Sequence, residues 1–171
     1  MPRFEIQRAW SGEALPVSHH AWIELQRVGD ELKVELEAPF FGDPPPPSAA
    51  GALDGLAQHE VVELFLAGPG SDYLEIELGP HGHHFVLELR GVRTPVRKCL
   101  PIAYRAQIDA ERSRFRGSAS MPAAYLPASV TRANAYAIHG VGNARCYHAH
   151  APVPGARPDF HKLDCFVPCV L

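Results

Sequence analysis

Three glutamates recur with alternating spacing in two neighbouring segments of the chain. Glu63 lies between apolar residues in the first segment, and Glu75 and Glu77 are two residues apart in the next. Successive side chains of a β-strand point to opposite faces, so this spacing predicts that the three carboxylates share one face of a sheet. Directly opposed side chains in neighbouring strands lie about 5 Å apart, so like charges there repel unless a partner compensates them.

This face has three open interpretations. It is a solvated outer face, with its carboxylates balanced by basic residues on the polar side of other strands: Lys33, Arg90, Arg114 and Arg116. Alternatively it is a concave binding surface, in which carboxylates accept hydrogen bonds from sugar hydroxyls and Tyr73 or Phe65 supplies a flat apolar platform. A divalent-cation site is the third interpretation, because calcium suits several carboxylate oxygens.

Histidine is abundant, with 10 in 171 residues. His81, His83 and His84 occupy one turn, His139 ends a predicted strand, and His161 lies near the C-terminus. Clustered imidazoles can bind zinc, iron or copper, although this spacing matches no recognised closed metal site, and turn histidines also cap backbone groups. His139 is in addition a candidate acid or base near neutral pH.

Other candidate residues have weaker local signals. Asn134 either satisfies a backbone turn or contacts a ligand, and Trp10 and Trp22 are either core residues or sugar platforms. The sequence contains no Ser-His-Asp, P-loop, Rossmann or H-E-x-x-H motif that names a reaction.

The elements that position these residues are predicted to be strands, because alternation with period two dominates and helical periodicity is scarce. In the third central strand, Phe85, Leu87 and Leu89 are predicted to face the core, with His84 and Glu88 on the carboxylate face. A short helical turn is expected at 123–126. The predicted strands are 4–9, 21–27, 31–38, 60–66, 73–78, 84–90, 114–121, 133–140 and 144–149.

Composition supports an all-β fold. The chain has 17 prolines and 14 glycines, which indicate many turns. Residues 39–55 include four consecutive prolines and are predicted to form a long loop, and residues 152–171 are predicted to wrap the surface. We therefore expect a single domain over residues 1–171, a two-sheet β-sandwich of jelly-roll type.

Charge and segment composition limit the partners and the location. The formal net charge is -3, with basic residues scattered along the chain, so neither nucleic acid nor a membrane is an expected partner. The first residues form no apolar signal segment, and no stretch is apolar enough to span a bilayer. The four cysteines are too few and too dispersed for a disulfide framework, and a cytoplasmic location is expected.

Five segments of the chain form a recognisable set: PFFGDP at 39–44, EVVELF at 60–65, YLEIELGPHG at 73–82, AIHG at 137–140 and PDFH at 158–161. Together they resemble a small uncharacterised family of animal and bacterial proteins. The stretch 60–82 is also similar to family 9 carbohydrate-binding modules and to DOMON-type domains. That resemblance implies a jelly-roll sandwich whose relatives bind sugars, sometimes with structural calcium, and in some DOMON domains haem. The modules clamp sugar between aromatic side chains on loops, and two matching tryptophans are not found here.

The leading hypothesis is a carbohydrate-binding-like domain for a small saccharide or sugar phosphate. The alternatives are a small sugar-active enzyme that uses a glutamate with His139, a metal or haem protein that uses the histidines, and a scaffold whose polar face contacts a partner protein. No cofactor is predicted with certainty; calcium ranks ahead of zinc and haem. The candidate ligand-binding residues are Glu63, Tyr73, Glu75, Glu77, His81, His84, Asn134, His139 and His161.

Overall fold

The protein is described by a computed structural model that covers residues 1–171. Short 3-10 helices are its helical segments, and none has the length and apolar character that a membrane-spanning helix needs. They occupy Val17–His19, Leu56–Gln58, Ala123–Tyr125, Gly142–Ala144 and Leu163–Cys165. The strands are β1 (Arg3–Ile6), β2 (Arg8–Ala9), β3 (Ala21–Val28), β4 (Glu31–Pro39), β5 (Val61–Ala67), β6 (Asp72–Leu78), β7 (His84–Arg90), β8 (Pro95–Arg97), β9 (Ala103–Asp109), β10 (Arg114–Pro122), β11 (Arg132–His139), β12 (Cys146–Ala149) and β13 (Val167–Pro168).

The strands form two antiparallel sheets packed as a β-sandwich. The five-stranded sheet has the order β1-β3-β4-β10-β9. The eight-stranded sheet has the order β2-β12-β11-β5-β6-β7-β8, and β13 pairs with β11 outside this path. We call the side of the eight-stranded sheet that packs on the five-stranded sheet its inner face, and the opposite side its outer face. The predicted β-sandwich is confirmed.

The core between the sheets is built from alternate residues of neighbouring strands. Leu64 of β5 and Ile76 of β6 are cross-strand partners on the inner face, and both are fully buried with Val34 of β4 in one apolar cluster. Burying such a side chain contributes about 1.5–3 kcal/mol to folding. The predicted orientation of β5 and β6 is therefore confirmed.

A second apolar layer covers the outer face. Phe65 and Tyr136 from the sheet are buried with Phe160, Leu163 and Phe166 from the segment that follows β12. The C-terminal segment does wrap the sheet as predicted, but it does so with large apolar residues that become part of the core. The eight-stranded sheet consequently has an apolar layer on both faces.

The orientation of β7 differs from the sequence prediction. Val86 pairs with Ile76 and packs between the sheets, whereas Phe85, Leu87 and Leu89 belong to the layer on the outer face. Both faces are buried, so apolar residues occupy both, and alternation alone does not indicate which set faces inward. The predicted assignment of β7 side chains to the two faces was therefore wrong, because the alternation is shifted by one residue.

Other differences concern the sheet edges. The predicted first strand is divided into β1, which pairs with β3, and β2, which pairs with β12 in the other sheet. β9 was missed because it is an edge strand with alternating exposed and half-buried residues, and β8 and β13 were missed because each is short and contains proline. The predicted loop at 39–55 and the helical turn after β10 are confirmed.

Candidate functional site

Three glutamates, here called the glutamate cluster, lie together on the outer face. Glu63 of β5 is directly opposite Glu77 of β6, and Glu75 precedes Glu77 by two residues on the same strand. Their exposed fractions are 2%, 6% and 3%, respectively. Carboxylates are rarely buried to this extent without a partner. The prediction that the three share one face of a sheet is confirmed.

The solvated-face interpretation is wrong, because chain segments outside the sheet cover the cluster. Its proposed counter-ions also lie elsewhere. Arg114 and Arg116 both pair with Glu37 on the five-stranded sheet, and Arg90 pairs with Glu88. Lys33 forms no ion pair.

Burial changes the protonation of the cluster. Removal from water raises the pKa of Glu75 to about 7. Removal from water, together with the charges of Glu63 and Glu75, raises the pKa of Glu77 to about 10. Burial and the neighbouring Glu75 charge also raise the pKa of Glu63 well above its usual value, against an opposing effect of Arg145. Because protonated carboxyls donate hydrogen bonds, the cluster offers both donors and acceptors near neutral pH.

Tyr73 connects the cluster to the C-terminal segment. Its hydroxyl oxygen accepts a hydrogen bond from the backbone N–H of Arg93 at 3.0 Å, and the hydroxyl forms a second hydrogen bond with Nδ1 of His161 at 2.6 Å. The other ring nitrogen of His161, Nε2, faces Glu75 Oε2 at 4.0 Å. That separation is too long for a direct hydrogen bond and leaves both atoms available to a ligand hydroxyl.

A cleft of about 200 Å³ opens above Glu63 and Glu75. At this cleft the guanidinium of Arg93 pairs with Asp159 at 2.8 Å. Arg93 has a left-handed backbone with φ of 57°, an uncommon conformation for a residue other than glycine. The residues that line the cleft combine polar groups with aromatic walls. Its lining residues are Ala57, Glu63, Phe65, Glu75, Arg93, Ile138, Tyr147, Pro158, Asp159, Phe160 and His161.

Sequence reasoning missed several of these residues. Arg93 and Tyr147 have no local signal, since one lies in a turn and the other on a short strand near the sheet edge. Asp159 and Phe160 are indicated in the sequence only as part of the PDFH motif at 158–161. The large apolar residues Phe160, Leu163 and Phe166 are the signal that could have shown that this segment packs on the sheet.

Comparison with known proteins connects the chain to one family. The UPF0462 protein C4orf33 homolog of Rattus norvegicus is 40% identical, in an alignment that covers 96% of this chain and 86% of that protein. The UPF0462 protein C4orf33 of Homo sapiens is 38% identical, with 95% and 85% covered. The chain belongs to the UPF0462 family. No protein-family model matches this UPF0462 chain.

Solved structures show the same fold as this UPF0462 chain at low sequence identity. A Bacteroides uniformis protein assigned a carbohydrate-binding role has a TM-score of 0.67 and 12% identity, and the alignment covers 97% of this chain and 84% of that one. A family 9 carbohydrate-binding module from Caldicellulosiruptor kristjanssonii, solved in complex with glucose, has a TM-score of 0.50 and 16% identity over 86% and 73%. The domain of this UPF0462 chain is thus similar to family 9 carbohydrate-binding modules.

Two of the predicted histidines lie away from the cleft in this UPF0462 chain. His84 is the cross-strand partner of Leu78, so its side chain lies on the inner face. There it contacts Tyr104, with ring centroids 6.1 Å apart. His81 lies in the preceding turn against Phe40. Their placement beside the glutamate cluster was wrong, because His84 follows the shifted alternation of β7.

Asn134 is buried on β11 in a local network. Its Nδ2 donates to the hydroxyl of Tyr136 at 2.8 Å and to Ala151 O at 3.0 Å. Its Oδ1 accepts from the backbone N–H groups of Ala135 and Ala151. Both donors and both acceptor positions of Asn134 are used within the protein, which favours the structural alternative for this residue over a ligand contact.

We expect Asn134→Ala to lower the free energy of unfolding by about 3 kcal/mol, because it leaves the buried hydroxyl of Tyr136 and N–H of Ala135, and the partly buried backbone groups of Ala151, without these partners. Urea unfolding monitored by circular dichroism measures this loss. Asn143→Ala, at an exposed position, is the matched control and is expected to change stability by less than about 0.5 kcal/mol. Equal stabilities of the two variants would contradict the structural role of Asn134.

His139 lies on the inner face, so it forms no acid–base pair with the outer-face glutamates, contrary to the sequence hypothesis. It stacks on Phe41 with ring centroids 3.5 Å apart and faces His19 and His148 at 6.0 and 4.9 Å. Burial lowers the pKa of both His139 and His148 to about 4. Both rings are therefore neutral at pH 7.

The glutamate cluster does not fit calcium. Calcium takes six to eight oxygen ligands, whereas the cleft is walled by aromatic rings and the guanidinium of Arg93 lies within it. Among histidine, cysteine and carboxylate side chains, only His19, His139 and His148 place three donor atoms within 4.8 Å of one another. The cavity beside these histidines, about 10 Å³, is far too small for haem.

Proposed function

We propose that this chain binds a neutral monosaccharide unit in the cleft above the glutamate cluster. The observation that carries the proposal is the combination of buried carboxyls, a histidine and an arginine with aromatic walls in one cleft. Sugar hydroxyls need donors and acceptors in close array, and the C–H faces of a sugar ring pack on aromatic rings. The similarity to a module solved with glucose supports the same ligand class.

The charges in the cleft favour a neutral sugar over a sugar phosphate. Asp159 and, with a pKa of about 7, Glu75 carry or share negative charge, and the one arginine that lines the cleft, Arg93, is already paired with Asp159. A phosphate would therefore lie near carboxylates without a free cation to compensate it. The volume also favours one sugar unit, because pockets for drug-sized ligands occupy about 300–1,000 Å³.

Thermal unfolding in the presence of a sugar panel tests the proposal. The panel contains glucose, galactose, mannose, glucosamine, cellobiose and glucose 6-phosphate. A ligand at about 100 times its Kd stabilises the fold by about 2.7 kcal/mol, which corresponds to a rise in Tm of roughly 5–10 °C for a chain of this length. We expect such a rise with at least one neutral sugar and none with the phosphate. A panel without any shift would contradict the proposal.

A sugar-active enzyme is the second candidate, and one observation favours it. Glu63 and Glu75 both line the cleft, and their diagonal register places their backbones about 7–8 Å apart. Glycosidase carboxyl pairs lie about 5–9.5 Å apart, and a pKa near 7 suits a general acid. Release of nitrophenolate from nitrophenyl glycosides that is lost in Glu75→Gln would favour the enzyme. If the unaltered protein releases no nitrophenolate, sugar binding without catalysis is favoured.

The expected cytoplasmic location stays a prediction.

A further inference from the structure

Three histidines from separate parts of the chain meet at one end of the sandwich. His139 ends β11, His148 lies on the paired strand β12, and His19 lies in the 3-10 turn before β3 of the other sheet. On the paired strands His148 is opposite Ala137, two residues before His139, so both imidazoles project from the inner face as diagonal neighbours. We call these residues the histidine triad.

The donor nitrogens of the triad lie near the separation that a metal ion requires. Its three donor nitrogens all lie within 4.8 Å of one another. In tetrahedral coordination with zinc–nitrogen distances of about 2.0–2.1 Å, the ligand nitrogens lie about 3.4 Å apart, so the most widely separated pair must approach by up to about 1.4 Å to close the site. His19 can supply this movement, because it is only partly buried and belongs to a short turn.

A second observation points to an occupant of the triad. His139 Nε2 is buried and has no hydrogen-bond partner in the protein, and the residue is only 9% exposed. Buried polar atoms normally have a partner. The adjoining cavity of about 10 Å³ is lined by all three histidines and has room for one ion or one water molecule.

The surroundings hold the rings in place and supply a counter-charge. Phe41 stacks on His139 with an interplanar angle of 8°, which fixes the plane of that imidazole. The Asp43 carboxylate lies close enough to interact with His139 and accepts a hydrogen bond from Gly140 N–H at 2.6 Å. The charge of Asp43 raises the pKa of His139, whereas the charge of Arg145 lowers it. Phe41 and Asp43 lie in the loop that follows β4, and Glu60 holds this loop in place by accepting hydrogen bonds from their backbone N–H groups.

We propose that His19, His139 and His148 bind one transition-metal ion of the zinc class, which links the turn before β3 to the eight-stranded sheet. Imidazole nitrogen suits zinc, copper and nickel, whereas calcium and magnesium prefer oxygen ligands. Water occupies the fourth position of a tetrahedral ion, because the cavity is too small for an organic substrate. This site lies on the other face of the sheet from the sugar cleft and is independent of the proposed function.

Titration of the chelator-treated, tag-free protein with zinc chloride tests the proposal. Isothermal calorimetry is expected to show one zinc ion per chain, and Co²⁺ in its place is expected to give the visible absorption of tetrahedral coordination. His148→Ala is expected to weaken zinc binding at least about tenfold, since the loss of even an outer-shell partner has an effect of this size. His19→Ala removes a ligand from a partly exposed turn, so it tests the site if His148→Ala fails to fold.

Two matched variants make the result specific. His59→Ala removes a partly buried histidine outside the triad, and Glu75→Gln alters the sugar cleft. Both are expected to retain the zinc affinity of the unaltered protein. Absence of saturable zinc binding, or equal binding by His19→Ala and the unaltered protein, would show that the triad holds only water and would overturn the proposal.

Discussion

Replacing Glu77 with glutamine is expected to raise the free energy of unfolding by about 3 kcal/mol at pH 7 and by only about 1 kcal/mol at pH 5. Most substitutions of buried residues destabilise a protein, so a gain of this size is unusual. The expectation rests on the pKa of Glu77, which burial and the charges of Glu63 and Glu75 raise to about 10.

The direction of the effect depends on where the proton is lost. In the unfolded chain Glu77 releases its proton near pH 4.5, whereas the folded protein retains it up to about pH 10. Stability from this group is therefore complete below pH 4.5 and decreases as the pH rises towards 10. Glutamine has nearly the same shape and no proton to lose, so Glu77→Gln avoids the decrease.

Urea unfolding at pH 5, 6, 7 and 8 measures this effect. Glu35→Gln is the control, because Glu35 is exposed on the five-stranded sheet and is expected to show no comparable pH-dependent gain. A stability difference for Glu77→Gln that stays constant with pH, or a loss of stability at pH 7, would contradict the burial of a protonated carboxyl.

Glu75→Gln is expected to weaken sugar binding about tenfold at pH 8. A hydrogen bond to a charged acceptor contributes about 1.5–3 kcal/mol, against about 0.5–1.5 kcal/mol for a neutral one, and a difference of 1.4 kcal/mol is tenfold in Kd. Because the pKa of Glu75 is raised to about 7, mainly by burial, the unaltered protein is expected to bind sugar more tightly as the pH rises from 6 to 8.

Calorimetric titration at pH 6, 7 and 8 with the sugar that gives the largest thermal shift measures both effects. The pH dependence is expected to disappear in Glu75→Gln and to persist in Glu35→Gln. Unchanged affinity in Glu75→Gln at pH 8 would remove Glu75 from the binding site.

The parts of the fold that the sequence predicts are those where one face differs clearly from the other. In β5 and β6, glutamates alternate with leucine, valine and isoleucine, so the orientation and the grouping of Glu63, Glu75 and Glu77 follow from the period of the strand. In β7, apolar residues occupy both faces, and the orientation depends on the register set by the turn before His84.

The candidate sites depend on contacts between residues far apart in the chain, and these leave little local signal. The contact between Tyr73 and His161 spans 88 residues, and the contact of Asp43 with Gly140 spans 97. His19 carries no pattern that connects it with His139 and His148, because it lies in an isolated turn. The burial of the glutamate cluster likewise depends on how the C-terminal segment packs.

The most direct test of sugar binding in the cleft is an NMR titration of the ¹⁵N-labelled protein with the sugar that gives the largest thermal shift. We expect saturable changes in the backbone amide resonances of residues around the cleft, including Ala57, Ile138, Tyr147 and Asp159. Resonances around Arg112 and Arg114, at a pocket on the five-stranded sheet, are expected to stay constant. Saturable changes confined to that second pocket, or no change at any sugar concentration, would contradict sugar binding in the cleft.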